Sequence, residues 1–118
     1  MFVSINHISV TEGRETDFEE LWRTRDRSVE KLPGFVSLDI LQPGRTLTMK
    51  PGEPPVKSDN VYMVLTRWES QDAFNAWVGS DAFKKAHGQK RSPEGLMLEH
   101  PRFHGWEAVE LGKTAAAD

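Results

Sequence analysis

Three side chains in this sequence of 118 residues could together handle a metal-centred ligand: Asn6, Trp77 and His87. A neutral imidazole ligates iron well. A carboxamide can hydrogen-bond a small diatomic ligand. An indole can press on a flat macrocycle. Each also has a plainer use, with Trp77 as core, His87 as a structural or solvated side chain, and Asn6 as a paired polar group. Lys84, Lys85, Lys90 and Arg91 cluster around His87, either to draw in an anionic ligand or to form a solvated helix face. The chain also carries four Trp and six Phe, the kind of side chain that lines flat cavities.

The elements that must position these residues follow from periodicity. Residues 2–10 alternate as a strand, with Phe2, Asn6, Ile8 and Val10 on one face and Val3, Ile5 and His7 on the other. Asn6 thus shares its face with apolar side chains, where an unpaired amide costs about 1–3 kcal/mol. Thr11-Glu12-Gly13 is a turn. From about Arg14 to Leu32 the period becomes helical, with Phe18, Leu21, Trp22, Val29 and Leu32 in one stripe. Arg25 falls on that stripe three residues after Trp22, either as a stem packed on the core or as a cation facing a pocket. Pro33-Gly34 stops the helix.

Phe35–Leu41 and Asn60–Trp68 read as the second and third strands. The latter is apolar on both faces, so it is expected to be covered on both. Between them, residues 42–59 form a Pro/Gly-rich insertion, read as a surface excursion without regular structure that serves as a lid, a hairpin or a dimer arm. Ser70 is placed to cap a helix carrying Ala73, Phe74, Trp77 and Val78. Gly79-Ser80 interrupts it, and Ser80 can cap a new turn leading to Phe83, Ala86 and His87. On one straight helix Trp77 and His87 would point about 80° apart; a kink at Gly79 brings both toward one cavity. Leu96-Met97-Leu98 reads as a short turn in a polar loop, and Phe103–Leu111 as the last strand. Residues 1–111 form a single domain, and 112–118 a disordered tail.

The order β-α-β-β-α-β predicts an α+β, ferredoxin-like fold. Its helices cover one sheet face and leave the other bare and apolar, which predicts a homodimer with packed sheets, a dimeric α+β barrel. Several functions lack their signatures. The net charge of −3 offers nothing global to nucleic acid, and the RNA-recognition aromatic pattern is missing from these strands. With no cysteine, thiolate chemistry and disulfides are excluded. There is no glycine-rich phosphate loop, no zinc-spaced His/Glu pair and no GxSxG elbow. The first residues lack the marks of a signal peptide, and no run approaches the roughly 20 apolar residues of a membrane span. A cytoplasmic protein with no membrane insertion is expected.

The segment Trp68-Glu69-Ser70 … Ala73-Phe74 … Trp77 … Ser80-Asp81-Ala82-Phe83-Lys84-Lys85-Ala86-His87 resembles the IsdG-type haem-degrading monooxygenases, within the wider antibiotic-biosynthesis-monooxygenase family. The resemblance extends from Asn6 to the last strand. It implies that His87 is the axial ligand of the haem iron, that Asn6 hydrogen-bonds the ligand or dioxygen on the opposite side, and that Trp77 crowds and ruffles the porphyrin. Trp22 and Arg25 match helix positions near the haem, and the cations around His87 would meet its carboxylates. The implied activity is oxidative ring opening with release of iron. Haem serves as substrate and cofactor, dioxygen as oxidant, and an external donor, a reductase, supplies electrons. The insertion at 42–59 departs from the short members. Rival histidines His7, His100 and His104 read as structural or surface residues. Two alternatives stay open: a cofactor-independent monooxygenase acting on an aromatic polyketide or quinol, and a haem-binding protein without turnover.

Overall fold

The structure is a computed structural model. It describes residues 1–25, 27–46, 50–53, 56–57, 59–81, 83–84, 95–96 and 102–112. Along the chain run β1 (Phe2–Ser9), α1 (Glu15–Arg23), a 3-10 turn (Ser28–Lys31), β2 (Phe35–Leu41), β3 (Arg45–Thr46), β4 (Val56–Lys57), β5 (Val61–Trp68), α2 (Gln71–Val78) and β6 (Arg102–Glu107). The main sheet has the order β2-β5-β1-β6, all antiparallel, with both helices between its strands in sequence. This is the expected ferredoxin-like arrangement.

Alternation along β1 and β5 divides the sheet into two faces. Phe2, Ser4, Asn6 and Ile8 lie opposite Trp68, Thr66, Val64 and Tyr62. This face meets the helices. One core cluster joins Ile8, Val10, Phe18, Tyr62, Val64 and Leu96, and a second joins Phe2, Trp68 and Trp77. The opposite face carries Val3, Ile5, His7, Met63 and Leu65, with His104 and Trp106 from β6. None of the described helices packs on it.

Two glycines permit close approaches. Gly34 has φ +82°, and a side chain there would meet the Ala73 Cβ at 2.5 Å. It lets the turn before β2 seat against the first turn of α2. Gly105 on β6 lies directly under the Phe2 ring, so a Cβ at that position would collide with it.

Apart from one-residue differences at the ends of β1 and β5, three features differ from expectation. The first helix does not run to Leu32. It ends at Arg23, where the Thr24 hydroxyl donates back to the Glu20 carbonyl (3.0 Å). A side chain bonding its own helix in this way competes with continuation, and the next polar run holds no apolar residue to pull it onto the sheet until Val29. β6 stops at Glu107, although Ala108 N–H still donates to the Met1 carbonyl (2.9 Å). The 42–59 insertion is not wholly irregular, because Arg45–Thr46 pairs antiparallel with Val56–Lys57, which makes it a hairpin. The Leu96 turn does more than predicted: Leu96 is fully buried, and its carbonyl accepts from Thr11 N–H (2.9 Å). Of the expected tail, residues 113–118 lie outside the described residues.

Candidate functional site

A cavity of about 750 Å³ opens between the sheet and the helical layer. Its floor is the helix-facing side of the sheet: Ser4 and Asn6 from β1, Leu38 and Ile40 from β2, and Val64 and Thr66 from β5. Trp77 of α2 closes one side. The opposite side is built by the end of α1 and the turns that follow, including Trp22 and Arg25. Four of the five residues singled out in the sequence therefore meet at one cavity. The fifth, His87, lies outside the described residues, as do Lys85, Lys90, Arg91 and the rival His100.

Asn6 is placed by strand alternation, opposite Val64 on one side and Phe103 on the other. Its side-chain oxygen is buried and has no hydrogen-bond partner among the described residues. That oxygen is an acceptor, and burying it unpaired is costly, so it calls for a hydrogen-bond donor in the cavity.

Trp77 is placed by α2. The Ser70 hydroxyl accepts from Ala73 N–H (3.1 Å) and caps that helix as expected. Trp77 is 8 % exposed. Its ring stacks on Trp68 with centroids 5.5 Å apart and meets Phe83 edge-on at 4.9 Å. The indole is thus both core and cavity wall. The predicted break follows it. α2 ends at Val78, and the Ser80 hydroxyl accepts from Phe83 N–H (3.2 Å) while donating to the Trp77 carbonyl (2.6 Å), which starts the new turn.

Arg25 does not sit on a helical stripe, because α1 has already ended. Its guanidinium lies over the Trp22 ring, 4.3 Å from the centroid. Burial lowers its pKa from the usual arginine value, yet an arginine so placed keeps its charge at neutral pH. Arg23 and Arg27 line the cavity on either side of it. These two were missed in the sequence, although every second residue from 23 to 27 is Arg. The described lysine of the other cationic cluster, Lys84, is exposed and does not line the cavity.

At the mouth, Glu19 is held from three directions. Tyr62 donates its hydroxyl (2.7 Å), Gln42 at the root of the insertion donates its amide (3.4 Å), and Arg23 pairs with it at 3.5 Å. Burial, and then the hydrogen bond to Glu19, push the Tyr62 phenol well above its ordinary pKa. At neutral pH it is a protonated donor. Among the described residues no cluster of three or more His, Asp or Glu side chains could hold a bare metal ion. His7 and His104 contact each other on the opposite face of the sheet, with rings 5.6 Å apart, away from this cavity.

Comparison with known proteins gives a consistent picture. The family model described as antibiotic biosynthesis monooxygenase matches residues 1–89. A mycobilin-producing haem oxygenase of Mycobacterium tuberculosis is 33 % identical over 91 residues, which cover 77 % of this chain and 75 % of that protein. A haem-degrading monooxygenase of Halalkalibacterium halodurans is 28 % identical over 116 residues, 98 % of this chain and 90 % of that one. Among solved structures, the M. tuberculosis haem degrader MhuD with two haems bound in its active site superposes with a TM-score of 0.69 at 28 % identity, covering 95 % of this chain and 100 % of that one.

Proposed function

Because the chain belongs to the antibiotic biosynthesis monooxygenase family, we propose that its cavity binds haem and that the protein is an IsdG-type haem-degrading monooxygenase. The observation that carries this reading is the meeting of Asn6, Trp22, Arg25 and Trp77 around one cavity, with the buried Asn6 carboxamide oxygen unpaired among the described residues. The relatives named above as haem oxygenase and haem-degrading monooxygenase support it. So does the structural likeness to a protein that holds haem in its active site.

The residues suit a flat, amphiphilic macrocycle. Indoles at Trp22 and Trp77 line the cavity over a floor that mixes Leu38, Ile40 and Val64 with Ser4, Asn6 and Thr66. Haem carboxylates need cations, and Arg23, Arg25 and Arg27 line the cavity, with Arg23 also paired to Glu19 and Glu20 and Arg27 to Glu30. His87 is our candidate for the axial iron ligand. Asn6 orients a small ligand on the sheet side by hydrogen bonding. Trp77, stacked on Trp68, would supply a backed wall against the bound macrocycle. When bound, haem supplies the oxidative chemistry itself, with dioxygen and electrons from an external reductase, and its ring is opened and its iron released. The apolar sheet face pairs with that of a second copy to make a homodimer. No helix among the described residues is long and apolar enough to cross a membrane, and we place the activity in the cytoplasm.

Haem titration tests the reading. The purified protein should develop a Soret band that saturates, and His87→Ala should lose or shift it. Reductant and oxygen should then bleach the band and release chelatable iron. Binding without bleaching would make this a haem-binding protein. No band at all would favour cofactor-independent oxidation of a quinol or polyketide.

A further inference from the structure

Two hydroxyls lie in the cavity floor close to Asn6. Ser4 of β1 is 1 % exposed and Thr66 of β5 is 4 % exposed, and they face each other across the ladder. Their oxygens are in direct hydrogen-bond contact, and both side chains line the cavity. Behind them the Trp68 indole N–H donates to the Thr66 oxygen at 2.9 Å.

Counting protons gives this chain a direction. Each hydroxyl carries one O–H donor, and the bond between them uses only one of the two. The Thr66 oxygen already accepts from Trp68, and an oxygen that accepts is polarised to donate onward. The favoured order is therefore Trp68 to Thr66 to Ser4. That order leaves the Ser4 proton with no acceptor among the described residues. Ser4 and Asn6 are two residues apart on one strand face, which spaces their backbones by roughly 7 Å.

The geometry points to Ser4 as a second hydrogen-bond donor to the small ligand beside Asn6, with Thr66 as the positioning residue that orients it. This inference rests on the haem reading above. A donor chain fixed before the ligand arrives costs no reorganisation when negative charge gathers on that ligand. Ser4 would thus share with Asn6 the task of orienting the ligand in the cavity.

Fluoride is the probe, because it binds ferric haem and is a strong hydrogen-bond acceptor. Its affinity is read by absorbance titration of the haem-loaded full chain, and the ferric-fluoride charge-transfer band reports nearby donors independently of turnover. Ser4→Ala is expected to weaken fluoride binding about tenfold or more and to shift that band. Thr66→Val keeps the serine hydroxyl but not its orientation, and should give a smaller loss. Ser4→Cys preserves the volume with a weaker donor and gives the same readout should Ser4→Ala fold poorly. An unmoved affinity and band in a folded Ser4 variant overturns the inference while the haem reading stands. A wild-type protein that gives no Soret band overturns the haem reading, and this inference with it.

Discussion

The indole of Trp77 lies nearly parallel to that of Trp68, with centroids 5.5 Å apart and planes inclined by 27°. Trp68 is fully buried and tethered by its N–H to Thr66. Trp77 therefore reaches the cavity with a rigid backing, and its two roles can be separated. Trp77→Ala removes core as well as wall and should cost about 3–5 kcal/mol in a denaturant titration. Trp77→Phe keeps the aromatic stack and should cost well under that. On the haem reading it nevertheless slows bleaching of the Soret band, because a smaller ring presses less on the porphyrin. An unchanged rate and product in Trp77→Phe would remove the steric role.

The stacking of Arg25 on Trp22 makes a different prediction. The guanidinium lies over the indole, its central carbon 4.3 Å from the ring centroid, and the compact ammonium of a lysine does not replace a guanidinium at such a contact. Arg25→Ala should weaken haem binding severalfold by removing a cation from the cavity edge, and Arg25→Lys should recover only part of it. Stability should change by no more than about 1 kcal/mol in either variant, the scale of a cation–π contact at a partly exposed site. Equal haem affinities in wild type and Arg25→Ala, measured by titration, would show that the carboxylates are held elsewhere.

Most of the fold was legible because its signals are local. Alternation marked Phe35–Leu41 and most of β5, and the serines at 70 and 80 announced the caps that the structure contains. The end of α1 was not legible, because Thr24 terminates it through a side-chain bond that periodicity does not register. The site was half legible. Residue type brought forward Asn6, Trp22, Arg25 and Trp77, and they share a cavity. Ser4 and Thr66 were passed over because their partnership spans 62 positions and depends on strand register. Arg23 and Arg27 escaped notice because their place at the cavity depends on where the helix stops.

Tyr62 predicts how stability varies with pH. Its phenol is raised well above its ordinary pKa by burial and by donating to Glu19. A group raised on folding contributes stability that is fully present below its unfolded pKa, about 10 for tyrosine, and is lost as pH climbs toward the folded value. The wild-type protein should thus lose stability steadily above about pH 10. Tyr62→Phe should cost about 1 kcal/mol or somewhat more at neutral pH, where a hydrogen bond to a carboxylate is removed. It should also flatten the alkaline decline. Parallel alkaline curves for the two proteins, measured by urea unfolding at each pH, would show that the phenol stays exchangeable with water.

The bare face of the sheet carries the last prediction. Ile5, Leu65 and Trp106 lie there together, and Trp106 is 48 % exposed. The Nδ1 of His7 on the same face is buried with no partner among the described residues. A partly exposed apolar face of this kind on a small domain suits an interaction surface, and on the homodimer proposed above a second copy would meet it with the same face by two-fold symmetry. Sedimentation should therefore give a species of twice the 13.4 kDa chain mass. Trp106→Glu sets a charge on that face and should shift the protein toward monomer. It should cost the monomer little, because the side chain is half exposed there already. Leu111→Glu, at a position 91 % exposed beyond the end of β6, should leave the dimer intact. A Trp106→Glu protein that still sediments as a dimer would place the interface on another face.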